Sequence, residues 1–282
     1  MKHLVQLMKN NFPTITFDSS QLIKGDCIEV MKQYPDNHFQ AIIADPPYFQ
    51  ALTTVDWDNS WVDSNAWLTW SLEWIKECRR VLKDDGILFI FGQLGKREHI
   101  WLHLCSESSK IMQFHDMVIW DRVVGYNDRG DSFTPQYEMA LMLRKEEKSE
   151  VYFDKDSVRI EYNEATIQKY MKDKRYKDMV AREAHLRKGK KATNILSVPS
   201  LKGASSEKVG HPSQNPEALI DILIQSTTRP GDLVLDPFLG SGTTAVVAQA
   251  LGRRWVGIDL EQEYIDMSKK RLKARFPEIN KK

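Results

Sequence analysis

Three cysteines in 282 residues, Cys27, Cys78 and Cys105, are odd in number and too widely spaced for a disulfide framework or a thiolate metal site. Their plain reading is packing. The sequence also lacks any run of about 18 apolar residues, and Met1-Lys2-His3-Leu4-Val5 is not followed by the longer apolar stretch of a secretory signal. A soluble, cytoplasmic protein is therefore expected. Internal repeats and low-complexity tracts are absent as well, and 41% hydrophobic residues are enough for a substantial core.

Charge of one sign is missing only on average. The formal net charge is +1, yet between Ala165 and Lys191 ten Lys or Arg stand against Asp173, Asp178 and Glu183, a local net of +7 that leaves about −6 on the remainder. Such asymmetry implies one dedicated basic surface. The run from Lys169 to Lys191, with Tyr170 and Tyr176 interleaved, reads either as a solvated helix face or, preferred here, as a surface that contacts phosphates.

What is present begins with a short apolar run, Gln40-Ala41-Ile42-Ile43-Ala44, which stops at Asp45 as a buried parallel strand would. Pro46-Pro47 prevents a helix from following directly. Trp67, Trp70, Leu72, Trp74, Ile75, Val81 and Leu82 then recur at roughly helical spacing, Asp84-Asp85-Gly86 breaks the pattern, and Ile87–Phe91 forms the next strand. A helix around Lys96 to Cys105 and strands at Met117–Trp120 and Glu138–Leu143 follow. After a charged stretch, a helix starts at Asn215-Pro216-Glu217, a strand covers Leu233–Leu235, a helix covers Thr243–Leu251 with Gly252 as its cap, and Trp255–Ile258 is a strand ending at Asp259. Lys269–Lys282 reads as a solvated helix end. The β-α-β order predicts an α/β fold with a doubly wound, mostly parallel sheet. Three regions are expected: 1–143, an inserted recognition region 144–206, and 207–282.

Two motifs carry chemistry. Asp45-Pro46-Pro47-Tyr48 sits at a strand end: Asp45 and the Pro46 carbonyl can accept the two N–H bonds of an aromatic amine, Pro47 stiffens the segment, and Tyr48 can stack on the ring. An exocyclic amine is a poor nucleophile because its lone pair is delocalised, and acceptors aimed at its N–H bonds favour the tetrahedral nitrogen. The second motif, Asp236-Pro237-Phe238-Leu239-Gly240-Ser241-Gly242-Thr243-Thr244, runs from a strand through a glycine turn into a helix, suited to a nucleoside-bearing cofactor, and Asp259 ends the next strand as a ribose-binding acid would. No lysine follows the last glycine, which disfavours a phosphate loop.

Together these segments resemble the S-adenosylmethionine-dependent amino-methyltransferases of DNA, in the beta arrangement where the catalytic motif precedes the cofactor motif. The resemblance covers most of the chain apart from Arg144 to about Lys191 and implies a Rossmann-like methyltransferase fold, S-adenosylmethionine as cofactor, and DNA, in duplex form, as partner. It also implies a homodimer and a companion restriction endonuclease as options. It assigns Asp26 and Cys27 of Gly25-Asp26-Cys27 to the cofactor's adenine side and His211, Ser213 and Asn215 of His211-Pro212-Ser213-Gln214-Asn215-Pro216 to its methionine carboxylate. The family more often has Thr and Lys where this chain has Ser213 and Asn215.

Asp at position 45 resembles the adenine-N6 branch; the cytosine-N4 branch stays open, as do an RNA or protein-amide methyltransferase and a catalytically silent DNA-binding relative. A cytosine-C5 enzyme is disfavoured because no cysteine here follows a proline. The tryptophan stripe Trp67, Trp70 and Trp74, with Trp61 before it, reads as core. Asp56-Trp57-Asp58 reads equally as a loop closing over a flipped base or as an ordinary surface loop. His38, His99, His103, His115 and His185 receive no role.

Overall fold

The computed structural model describes residues 11–52, 54–94, 99–126, 128, 130–173 and 175–280. Met1–Val5, the expected helix start at Lys96, Lys174 of the basic run and the last two residues of the tail lie outside them. Among the described residues nine strands form one sheet: β1 (Thr14–Phe17), β2 (Ser20–Lys24), β3 (Phe39–Ala44), β4 (Leu82–Gly92), β5 (Gln113–Asp121), β6 (Tyr137–Arg144), β7 (Ile195–Ser197), β8 (Leu233–Asp236) and β9 (Arg254–Asp259). Their spatial order is β1-β2-β9-β8-β3-β4-β6-β5-β7. The run β2-β9-β8-β3-β4 is parallel throughout, whereas β1 and β6 are antiparallel to their neighbours.

Both faces of the sheet are covered, which the near-continuous apolar strands require. On one face pack α1 (Cys27–Met31), α2 (Ser64–Val81) and α3 (Ile100–Ser108), through Val30, Trp67, Trp74, Ile75, Cys78 and Leu104. On the other pack α6 (Glu217–Thr227), α7 (Thr243–Ala250) and α8 (Gln262–Arg275), through Leu219, Ile220, Val246, Ile265 and Leu272. Strand pleating decides which residue meets which layer: in β3, Ile42 and Ala44 join the first cluster and Ile43 the second. The doubly wound expectation holds. No helix among the described residues is long and apolar enough to cross a membrane.

Several local expectations change. Asp84-Asp85-Gly86 does not separate α2 from a strand; β4 starts at Leu82, and the break residues bulge, since Phe39 pairs with Leu82 and Ala41 with Ile87. The Gln40 side-chain amide fastens that bulge by donating to Asp85 at 3.2 Å. Helix α2 is capped by Asp63, whose carboxylate accepts the Ala66 N–H at 2.8 Å. Lys269–Arg275 is the end of α8, with Lys270 and Lys273–Arg275 exposed as expected, but Arg271 and Leu272 are buried. Within 144–206 lie α4 (Glu164–Met171), α5 (Met179–Arg187) and β7, and β7 pairs in parallel with β5, so this stretch contributes a strand to the same sheet.

Candidate active site

Parallel strands aligned in one sheet present their carboxyl ends along one edge, and here that edge is acidic. Asp259 ends β9, Asp236 ends β8, Asp45 follows β3, and Asp26 stands two residues beyond β2. Strands β3 and β8 are immediate neighbours, with Ala41 opposite Val234 and Ile42 opposite Leu235. Winding reverses there, the position at which open α/β sheets leave a crevice. A cavity of about 600 Å³ occupies it and is lined by Asp26, Asp45, Asp236 and Asp259 together with Pro46, Pro47 and Tyr48. The front-half carboxylate and the rear-half glycine turn share this one space.

The glycine turn is shaped by backbone and by what packs behind it. Gly242, at φ +75°, caps α7, and a Cβ there would lie 2.6 Å from Ser268 Oγ of α8. At Gly240, φ +49°, a Cβ would lie 2.9 Å from His211 Nε2. The turn's backbone is tied to the acid of the next strand, for Gly240 N–H donates to Asp259 Oδ2 at 2.8 Å. Asp236 Oδ1 accepts the Phe238 N–H at 3.0 Å, and the Thr244 hydroxyl bonds the same carboxylate. Arg271 knits the rest: its guanidinium donates to Ser241 O at 3.1 Å, to Thr243 Oγ1 at 2.9 Å and to Glu217 at 2.8 Å, while the Thr243 hydroxyl donates to the Asn215 carbonyl. That network holds the 211–216 segment against the turn.

His211 is a neutral imidazole. Burial lowers its pKa to about 4, its Nδ1 accepts the Ser213 N–H, and its ring packs edge-on to Tyr264 and parallel to Trp57. Ser213 is exposed at the cavity rim. Asp26 uses one carboxylate oxygen to cap α1 through the Ile28 and Glu29 N–H groups, and Cys27 beside it is kept a thiol because burial pushes its pKa up. Phe238 meets Trp70 and Trp74, ring to ring, at the cavity wall.

At the other end, both oxygens of Asp45 are engaged: the Tyr48 hydroxyl donates to Oδ1 at 2.5 Å and Asn215 Nδ2 to Oδ2 at 2.8 Å. Asn215, expected on the cofactor's carboxylate, lines the cavity and bonds the acid of the Asp-Pro-Pro-Tyr segment. Pro47 is fixed by Trp67, whose indole N–H donates to its carbonyl at 2.9 Å. After Tyr48 the chain turns through Phe49 and Gln50, both at φ +58°, a conformation costly outside glycine. Asp58 supports it: buried, its carboxylate accepts the Leu52 N–H at 2.6 Å and its backbone carbonyl accepts the Gln50 N–H at 2.9 Å.

Burial governs the titration of the cavity. It pushes Asp45 and Asp259 up to about 6 and Asp236 up to about 7, in each case against hydrogen bonds that pull downward. Clustered buried carboxylates of this kind favour a cationic ligand, and the volume falls in the ~300–1,000 Å³ range of small-molecule sites.

Comparison with known proteins agrees with this geometry. A family model described as DNA methylase matches residues 39–270. The chain belongs to that family. Type II methyltransferase M.HinfI of Haemophilus influenzae is 32% identical across 92% of this chain and 70% of its own length. DNA adenine methyltransferase YhdJ of Escherichia coli is 31% identical across 90% of this chain and 83% of its own. Among solved structures, PvuII DNA methyltransferase, titled cytosine-N4-specific, superposes with a TM-score of 0.68 at 17% identity, covering 95% of this chain and 96% of that one. At that identity the likeness speaks for the fold.

Several residues of this DNA methylase cavity escaped the sequence reading. Trp61 and Trp70 pack against the core that Trp67 and Trp74 fill, as expected, and also line the cavity. Trp57 crosses from the front half to the rear, its indole N–H donating to the Tyr264 hydroxyl at 3.0 Å, so Asp56-Trp57-Asp58 is not an ordinary surface loop. Arg122, just after β5, and Glu138 of β6 also face the cavity. Only a pairing of distant segments could have pointed to them.

Proposed function

We propose that this DNA methylase transfers a methyl group from S-adenosylmethionine to the N6 amine of adenine in duplex DNA, in the cytoplasm. The observation that carries the reading is the adjacency of β3 and β8, which gives Asp45 and the turn residues Gly240 and Ser241 one cavity. When bound, the cofactor supplies a methyl activated on a sulfonium. The residues present fit such a group: Asp236 is buried and Asp259 half-buried, neither with a cationic partner among the described residues, Gly240 and Ser241 put backbone at the cavity wall, and Phe238, Trp61 and Trp70 offer apolar walls. Asp259 would accept from the ribose hydroxyls.

Asp45 and the Pro46 carbonyl accept the two N–H bonds of the amine, steering its lone pair toward the methyl. Tyr48 and Asn215 orient Asp45 and favour its ionised form. A base buried in a duplex cannot reach this crevice, so it must leave the stack. The exposed cations Lys169 in α4 and Lys172, Lys177 and Lys188 at or beside the ends of α4 and α5 make no ion pair among the described residues and suit phosphate contact. The name of the 31% identical relative YhdJ supports adenine. The cytosine-N4 title of the PvuII enzyme, which shares the fold, keeps that amine as the second reading. Tritiated methyl transfer to unmethylated DNA, followed by nucleoside analysis, decides: N6-methyladenine is expected, and label confined to cytosine overturns the base assignment. Asp45→Ala should abolish transfer and leave cofactor binding largely intact.

A further inference from the structure

Beyond Asp45, on the side away from the glycine turn, the sheet edge continues through β4, β6 and β5. Gln93 follows β4, Glu138 is the second residue of β6, and Arg122 follows β5; all three line the same cavity. Glu138 stands opposite Trp120 in the β5–β6 ladder and is 7% exposed. Its Oε1 accepts from Arg122 Nη1 at 2.6 Å, and among the described residues Oε2 accepts no hydrogen bond. The guanidinium of Arg122 is clamped between aromatic rings, 4.5 Å from the Tyr126 centroid and 5.3 Å from that of Trp120. A buried carboxyl held at one oxygen and open at the other, in the half of the cavity next to Asp45, is built to meet a ligand.

We infer that Glu138, held in place by Arg122, contacts the target base itself, donating a hydrogen bond from its free carboxyl oxygen to a ring nitrogen next to the amine that Asp45 grips. The inference rests on the adenine reading above. The ring nitrogens of adenine adjoining the amine, N1 and N7, are acceptors only, so their partner must carry a proton. A carboxyl kept neutral by an apolar site can be that donor. Burial pushes Glu138 up to about 7, against the pull of Arg122 and with the push of Asp45. The other titratable groups facing it are Tyr48, whose own pKa is raised by burial and further by Asp45 and Glu138, and Tyr126. The neutral donor is therefore present below about pH 7 and is lost as pH rises through that value.

The test uses the full enzyme, saturating S-adenosylmethionine and an oligonucleotide duplex carrying the site mapped by modified-base sequencing. Glu138→Ala should raise KM for the duplex about tenfold with cofactor Kd unchanged, the effect of losing one buried donor. Glu138→Gln, which keeps a donor and an acceptor for Arg122, should stay within about threefold of wild type and remove the rise of KM above pH 7. Replacing the target by 1-deazaadenine or 7-deazaadenine should cost wild type the same factor at one of the two positions and cost Glu138→Ala nothing more there. Glu138→Gln as impaired as Glu138→Ala, an unchanged KM in Glu138→Ala, or indifference to both deaza bases overturns the inference. Wild-type methylation of cytosine instead of adenine would defeat the adenine reading and is seen separately, by nucleoside analysis of wild type alone.

Discussion

Asn215 gives the sharpest handle on the chemistry. Its amide is one of two donors to a carboxylate that burial alone would leave protonated near neutrality, and Asp45 sits at about 6 only because Tyr48 and Asn215 both pull it down. A hydrogen bond to an ionised group contributes about 1.5–3 kcal/mol. At about 1.4 kcal/mol per pKa unit, Asn215→Ala should move Asp45 upward by roughly one to two units. Ionised Asp45 is the form that accepts an amine proton, so the acid limb of kcat should climb from near pH 6 to between about 7 and 8. At pH 7 this predicts a loss in kcat of about two- to tenfold that shrinks as pH is raised. Asn215→Lys, which restores the charge the family more often carries there, should shift the limb below that of wild type. The assay is single-turnover methyl transfer from pH 5.5 to 9 with cofactor saturating. An acid limb at the same pH in wild type, Asn215→Ala and Asn215→Lys would refute the coupling of Asn215 to Asp45.

Other expectations follow from the same geometry. Gly242→Ala should destabilise the fold by about 1–3 kcal/mol through positive φ alone, with more from the Cβ contact to Ser268, and should weaken cofactor binding; an unchanged Tm and Kd would contradict it. Asp236 and Asp259 are raised by burial to about 7 and about 6, so their contribution to stability of the free protein is complete only below the ordinary carboxylate range, near about 4, and is lost as pH rises through about 6 to 7. A cationic ligand favours their ionised forms, so cofactor affinity should rise between about pH 5 and 8 with release of protons, measured by calorimetry in buffers of different ionisation heat. Lys169→Gln combined with Lys172→Gln should lower the slope of log binding constant against log salt by about two and leave the methylated sequence unchanged; an unaltered slope removes α4 from the DNA contact.

The sequence by itself determined the strands that end in acids, the glycine turn and the order of the two motifs, because each rests on neighbouring residues. Apolar Gln40–Ala44 halted by Asp45 can only be a buried strand meeting a crevice, and Gly240-Ser241-Gly242 after Leu235 can only turn sharply into a helix. Hairpin β1–β2, the bulge at Lys83–Gly86 and strand β7 were not legible, since their pairing is set by partners elsewhere in the chain: β7 is three residues long and becomes a strand only beside Ile119–Asp121. The same limit hid the partners of the chemistry. Asn215 lies 170 residues from Asp45, Trp57 lies 207 from Tyr264, and Arg122 and Glu138 reach the cavity only because β6 runs antiparallel beside β4. Local periodicity records which residues must be buried, whereas strand order, a property of the whole sheet, decided which buried acids share a cavity.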